Sequence, residues 1–255
     1  MITIQIAKLN VGIDNRYDIA PRLEGFLTEE QPDFAVCVTD AELEQERRIG
    51  GDMPEDYLEY ICAYRHIAEV LPAYDGFVMH GAAVVDGDRS AYLFTAPSGT
   101  GKTTHVRLWL RRFPGRVWVL NGDKPVIRRI DGRFFVCGTP WRGKEQFGRS
   151  AIRPLRGVCL LDRGRENSIA PLPAGQAMPR LMRQFLLPKK PEQLTRFLSL
   201  ADECFSTTPI YAMACNRSPA AAVMSYEAMT GHSAGPEPEL TPKQYQLLHE
   251  YDSIL

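Results

Sequence analysis

The stretch SAYLFTAPSGTGKTTHVRLW, Ser90 to Trp109, decides how the chain is read. Tyr92 to Phe94 read as the end of a buried strand and Val106 to Leu110 as one face of a helix, so the residues between them must turn. The turn fits the P-loop (Walker A) pattern Ala/Gly-x-x-x-x-Gly-Lys-Ser/Thr, with Ala96 first and Gly101, Lys102 and Thr103 closing it. Gly99 and Gly101 permit positive backbone angles, which lets successive N–H groups point inward and form a nest for a polyphosphate. The helix that follows adds its unpaired N-terminal amides and the positive end of its dipole. Ser98, Gly99, Thr100, Gly101, Lys102, Thr103 and Thr104 are therefore candidate nucleotide-binding residues. Lys102 would reach the β and γ phosphates, and the Thr103 hydroxyl would hold Mg2+. The competing reading is a Gly-containing turn with a solvated lysine; the strand before it and the helix after it favour the phosphate cradle.

The rest of the chain supplies the surroundings. Its 255 residues, 44% hydrophobic and 24% charged, are enough for a sizeable core and one or two domains. A net charge of −1 gives no argument for nucleic acid or an anionic membrane. The opening MITIQIAKLNVGID lacks the basic, apolar and cleavage regions of a signal peptide, and no apolar run approaches a membrane span; the expectation is a cytoplasmic protein. Six scattered cysteines without a C-x-x-C pair read as buried reduced thiols rather than metal ligands.

Residues 1–75 alternate strand signals (Ile2 to Ile6, Phe34 to Val38) with a helix from about Glu55 to Leu71. Tyr57, Ile61, Tyr64, Ile67, Ala68 and Leu71 recur on that helix at the spacing of a packed face. This is expected to be a small N-terminal α/β subdomain. From Phe77 strands dominate: VMHGAAVV, AYLFT, RVWVL, KPVIRRI, RFFVC and GVCLLD. Helices are expected over 173–187, 190–204 and 217–230, with the strand PIYAMAC before the last. The core spans 76–234, and 235–255 read as a proline-bearing linker and a short helix.

Three further places carry chemistry. Asp123 stands at the end of the strand RVWVL, where open α/β sheets gather ligands. It reads as a carboxylate for the metal, against a solvated Asn-Gly-Asp hairpin turn. His80 lies inside VMHGAAVV, where a structural histidine and a functional one are both open. CGTPWRGKEQFGRSAIRPLRG, Cys137 to Gly157, combines glycines with five basic residues. It reads as a flexible loop that would cover a transferring phosphate, with Trp141, Arg142 and Lys144 as substrate-side candidates, or as a solvated surface loop.

The order His80-Gly81, SGTGKTT at 98–104, Gly122-Asp123 and PLRGVCLLD at 154–162 resembles the HPr kinase/phosphorylase family, relatives of phosphoenolpyruvate carboxykinase. The resemblance covers Phe77 to the strand near Cys215. It implies an α/β fold with a P-loop kinase core on a mixed sheet, using ATP and Mg2+ to phosphorylate a serine hydroxyl. Carried over, Lys102 and Thr103 take the phosphate and metal roles and His80 matches the histidine beside the reacting hydroxyl. Asp123 holds metal with Thr103 and is the other candidate base. Arg156 keeps the Arg of the family's Glu-x-Arg-Gly segment and joins the catalytic candidates. Two carboxylates of the family are missing: Gly122 stands where a pair of aspartates begins, and Pro154 replaces the Glu. The chain is therefore read as a kinase whose acceptor is a serine of a peptide or carrier protein, or a small-molecule alcohol. The alternative is a nucleotide-binding switch without a dedicated acceptor. Self-association stays open.

Overall fold

The computed structural model describes residues 1–87, 89–239, 241, 242 and 244. The short helix expected near the C-terminus lies outside the described residues.

The N-terminal unit is a three-stranded sheet, β1 (Ile2–Ile6), β2 (Leu9–Asp14) and β3 (Phe34–Cys37), with β1 antiparallel and β3 parallel to β2. Helices α1 (Asp40–Gly50) and α2 (Glu55–Val70) accompany it. Sequence patterning did not foresee α1, which opens with a capping box between Thr39 and Glu42. Buried Glu59 of α2 accepts from the backbone N–H groups of Arg16 (2.8 Å) and Tyr17 (2.9 Å), which fixes the segment after β2.

The second unit is a curled, mixed nine-stranded sheet. Its strands are β4 (Gly76–Val78), β5 (Ala82–Asp86), β6 (Ser90–Thr95), β7 (Val117–Asn121), β8 (Val126–Ile130), β9 (Arg133–Cys137), β10 (Ile152–Arg163), β11 (Ser168–Pro171) and β12 (Ile210–Cys215). The main path runs β4-β8-β9-β10-β6-β5-β7, and β12 adds to β10 and β11. β10 holds the two halves together. Its first residues pair antiparallel with β9, and after a bulge between Leu155 and Gly157 it runs parallel to β6 and β12. Such an irregularity bends a strand and increases local twist, which is how one sheet curls here.

Helices cover both faces. α3 (Lys102–Arg112) and α6 (Pro219–Thr230) bury Val106, Trp109 and Tyr226 on one side; α4 (Ala174–Leu181) and α5 (Pro191–Thr207) bury Leu181, Phe197 and Phe205 on the other. The N-terminal core is continuous with the sheet through Val78, Val126, Cys137 and Trp141. Four of the six free cysteines are buried, Cys215 is half-buried, and Cys37 is exposed. Among the described residues no helix is long and apolar enough to cross a membrane.

Two expectations are corrected. VMHGAAVV is two strands, not one: β4 pairs with β8 and β5 with β6 and β7, so Met79 to Gly81 is the passage between them and His80 sits in that break. The basic stretch 137–157 is a loop only to about Ala151, because Ile152–Arg156 already belongs to β10.

Candidate active site

Strand directions gather the site. β7 runs antiparallel to β5, which is antiparallel to β6, so β6, β7, β10 and β12 all end at one edge and β5 begins there. Loops at that edge converge, as they do at the carboxyl ends of open α/β sheets. A cavity of about 980 Å3 lies there.

Its floor is the loop between β6 and α3. Gly99 (φ 76°) and Gly101 (φ 122°) take the positive angles expected of them. A Cβ on either would meet nothing within 4 Å, so the space above the loop is open to a ligand. Gly101 is the N-cap of α3 and no side chain caps the helix, which leaves its first amides available. Lys102 is 91% buried, and its ammonium donates to the carbonyl of Ala96 (2.8 Å), the residue that opens the loop. Burial lowers its pKa from the ordinary lysine value, and nearby Asp123 opposes that.

The opposite wall comes from the end of β7. Buried Asn121 accepts from the N–H groups of Asp123 (2.9 Å) and Lys124 (2.8 Å) and donates to Thr139 (3.0 Å), which fixes the turn. The chain then goes to β8, which does not pair with β7, so the hairpin reading of this turn falls. Asp123 Oδ1 lies 2.9 Å from Lys124 Nζ and 3.4 Å from His80 Nε2. On the other side of the imidazole, Nδ1 contacts Gln184 Oε1 at 3.1 Å. The ring is thus held between the Gln184 amide at Nδ1 and the Asp123 carboxylate at Nε2. Burial, reinforced by Lys124 and Lys102, depresses the His80 pKa to about 4, so the ring is neutral at physiological pH.

The remaining wall is the loop 138–148, held against β7 by Gly122 N–H to Phe147 O (2.9 Å) and Arg149 N–H to Leu120 O (3.0 Å). Trp141 is 96% buried; it stacks on Tyr60 (5.6 Å between centroids) and donates to the Tyr60 carbonyl (3.1 Å), while the Tyr60 hydroxyl donates to Pro140 O (2.8 Å). Arg142 donates to Glu24 O (2.7 Å) and lies over the Phe26 ring. The N-terminal unit is thereby clasped to the loop, and Arg22, Tyr57, Ile61 and Tyr64 face the same cavity.

The structure brings together His80, Ser98, Gly99, Gly101, Lys102, Thr103, Thr104, Asp123, Trp141, Arg142 and Lys144 on this one cavity. Thr100 faces a neighbouring cavity instead. Arg156 is not brought in: it sits at the β10 bulge, exposed, in reach of Tyr92 rather than of the phosphate loop. Sequence reasoning missed Lys124, Gln184 and the inward-facing residues of α2.

Among the described residues no three His, Cys, Asp or Glu side chains cluster as a metal site. Magnesium bound with a nucleotide needs less, keeping several waters and taking one or two protein oxygens besides the phosphates. The Thr103 hydroxyl and the Asp123 carboxylate, both on the cavity beside the open space over Gly99 and Gly101, fit that requirement.

No protein-family model matches the chain, and no curated protein matches it. Among solved structures it is similar to the HPr(Ser) kinase/phosphatase from Coxiella burnetii, at 12% identity and a TM-score of 0.27, over 48% of this chain and 86% of that one. A likeness that slight leaves the function to be read from this chain's own residues.

Proposed function

We propose that the protein is an ATP- and Mg2+-dependent kinase that transfers phosphate to a hydroxyl. The observation that carries this is the meeting of Lys102 and Thr103 with Asp123 and His80 on one cavity. The loop amides and Lys102 cradle the β and γ phosphates and take up their charge. Thr103 and Asp123 hold the magnesium ion, which supplies charge neutralisation across those phosphates. Gly122 and Pro154 stand where the family that the chain resembles has carboxylates, and Lys124 adds a positive charge 2.9 Å from Asp123, so a single metal ion suits this site. His80 Nε2 accepts the proton of the attacking hydroxyl, while the contact of Nδ1 with Gln184 holds the ring in place. Arg142 and Lys144, on the wall that faces the acceptor, orient it.

The resemblance to HPr kinases in the P-loop, His80-Gly81 and Gly122-Asp123 supports the same reading. The protein is to be incubated with γ-labelled ATP, Mg2+ and a fractionated cell extract. Label appearing on an organic acceptor in one fraction, and not with Lys102→Ala, is the expected result. Release of inorganic phosphate alone, at the same rate with every fraction, would leave a nucleotide switch instead of a kinase.

A further inference from the structure

The phosphate loop forms only one part of the large cavity; the part beyond Asp123 is built by the loop 138–148 and by α2. Gly143 packs so closely there that a Cβ on it would lie 3.0 Å from the Asp123 Cβ, which sets its neighbours Arg142 and Lys144 beside the reacting centre. Behind them Trp141 stacks on Tyr60 and lies 5.2 Å from the Tyr64 ring. Tyr60 and Tyr64 belong to the N-terminal unit, outside the span that resembles the HPr kinases. The half of the cavity that receives the acceptor is therefore walled in part by a piece of the chain with its own origin.

The charges of the lining show what that half is suited to hold. Arg22 is paired with Asp56 (2.6 Å) and Lys124 with Asp123 (2.9 Å), while Lys102 serves the phosphate loop. Arg142 and Lys144 are left over. Arg142 donates to a backbone carbonyl, that of Glu24, and neither residue is ion-paired with a carboxylate among the described residues. Two cations without counter-charges beside the reacting centre call for an anion, and a guanidinium matches a carboxylate or a phosphate in shape as well as charge.

α2 adds a polar handle and an apolar surface. Tyr64 is only 7% exposed and borders the cavity; its hydroxyl has no hydrogen-bond partner among the described residues, yet is not sealed off from solvent. A buried tyrosine hydroxyl normally finds a partner, and here the partner has to come from what fills the cavity. Tyr57 and Ile61, half-buried on the same face, offer carbon surface.

We propose that the phosphate acceptor is a small-molecule alcohol bearing a negatively charged group. That group lies on Arg142 and Lys144, a polar atom meets the Tyr64 hydroxyl, and the carbon skeleton rests on Tyr57 and Ile61. The proposal rests on the kinase reading above and chooses among its acceptors. The phosphate loop, the end of β7, the loop 138–148 and α2 already bound the space, which suits a compact molecule better than a polypeptide that must both enter and leave. In the transfer the alcohol oxygen bonds to the γ phosphorus and its proton passes to His80 Nε2. The bond from that phosphorus to the β–γ bridging oxygen breaks, and ADP leaves.

The test divides a cell extract by ultrafiltration into macromolecules and a small-molecule filtrate, and the filtrate by an anion exchanger at neutral pH. Each fraction is given to the protein with γ-labelled ATP and Mg2+. Organic label should form with the exchanger-retained small molecules, and prior digestion of that fraction with a nonspecific protease should not reduce it. Lys144→Gln, at an exposed site, should raise the half-saturating amount of that fraction about 10-fold or more, the scale of a charge-assisted contact. Tyr64→Phe should raise it about 2- to 10-fold, the scale of a neutral hydrogen bond. The KM for ATP should stay constant in both variants. Label on macromolecules alone, on the unretained filtrate, or on a protease-sensitive acceptor would overturn the small anionic alcohol while leaving the kinase standing. An unchanged half-saturating amount in both variants would overturn it equally. Inorganic phosphate as the sole labelled product in every fraction would remove the kinase reading and this acceptor together.

Discussion

Gly122 is where the resembled family begins a pair of aspartates, and the structure gives a physical reason for glycine at this position. A Cβ built there would lie 3.0 Å from the Arg142 carbonyl oxygen and 3.3 Å from Phe147 Cβ. Neither neighbour is the far end of a flexible side chain, so the loop 138–148 would have to move off β7. The Gly122 N–H bond to Phe147 O (2.9 Å) would be strained by the same movement. Inserting a methyl group into a close-packed contact of this kind costs about 1–3 kcal/mol. For a chain of this size that corresponds to a fall in Tm of roughly 2–12 °C for Gly122→Ala, and Gly122→Asp should cost more. Thermal unfolding followed by circular dichroism measures it. Because the displaced loop carries Arg142 and Lys144, phosphotransfer should fall further than ATP affinity. If Gly122→Ala unfolds within 1 °C of the wild type and keeps its turnover, the packing of this loop on β7 is wrong.

Asp123→Asn keeps the shape and removes the charge that faces Lys124 and that is proposed to hold the metal, so Mg2+-dependent turnover should drop far more than metal-free nucleotide binding; equal turnover would return Asp123 to a structural role. His80→Ala should slow phosphotransfer by roughly 10²-fold or more while ATP affinity stays nearly constant, and a variant with full turnover would move the base to Asp123 or the substrate. His105, held neutral by burial with its pKa depressed to about 4, makes a prediction about acid stability. The unfolded imidazole, near 6.5, binds the proton first; the stabilisation is therefore complete above that pH and is lost as pH falls toward 4. Between pH 7.5 and 5 this amounts to about 2 kcal/mol. His105→Gln should flatten the Tm profile in that window, and an unchanged profile would exclude His105 as its source.

The loop Ala96–Thr104 was legible because its chemistry is local: glycines at the two positive-φ positions, lysine and threonine at the helix start, a strand before and a helix after. Asp123 was legible for the same reason, standing at the end of an apolar strand. What escaped depends on partners distant in sequence. An unbroken apolar run such as VMHGAAVV does not show where a chain leaves one set of strands for another, which is what puts His80 in a break. Arg156 sits in a segment that resembles a catalytic one, but the bulge in β10, visible only from the pairing with β6, leaves its side chain outside. The periodicity of α2 correctly put Tyr57, Ile61 and Tyr64 on one face, yet spacing cannot tell a face packed on protein from one that also borders a cleft. Helix α1 had a usable signal in Thr39-x-x-Glu42, the capping box that the structure contains.

The central claim is that Lys102 and the loop around it hold the phosphates of a nucleotide. Lys102 is 91% buried at the start of α3, so its truncation removes a charge-assisted contact worth roughly 1.5–3 kcal/mol, or about a 10- to 150-fold loss of ATP affinity. Calorimetric titration of the wild type and Lys102→Ala with ATP, with circular dichroism to show that the variant is folded, measures this directly. The account predicts binding by the wild type and a loss of that size in the folded variant. Equal ATP affinity in the two proteins, or no binding by the wild type, would contradict it.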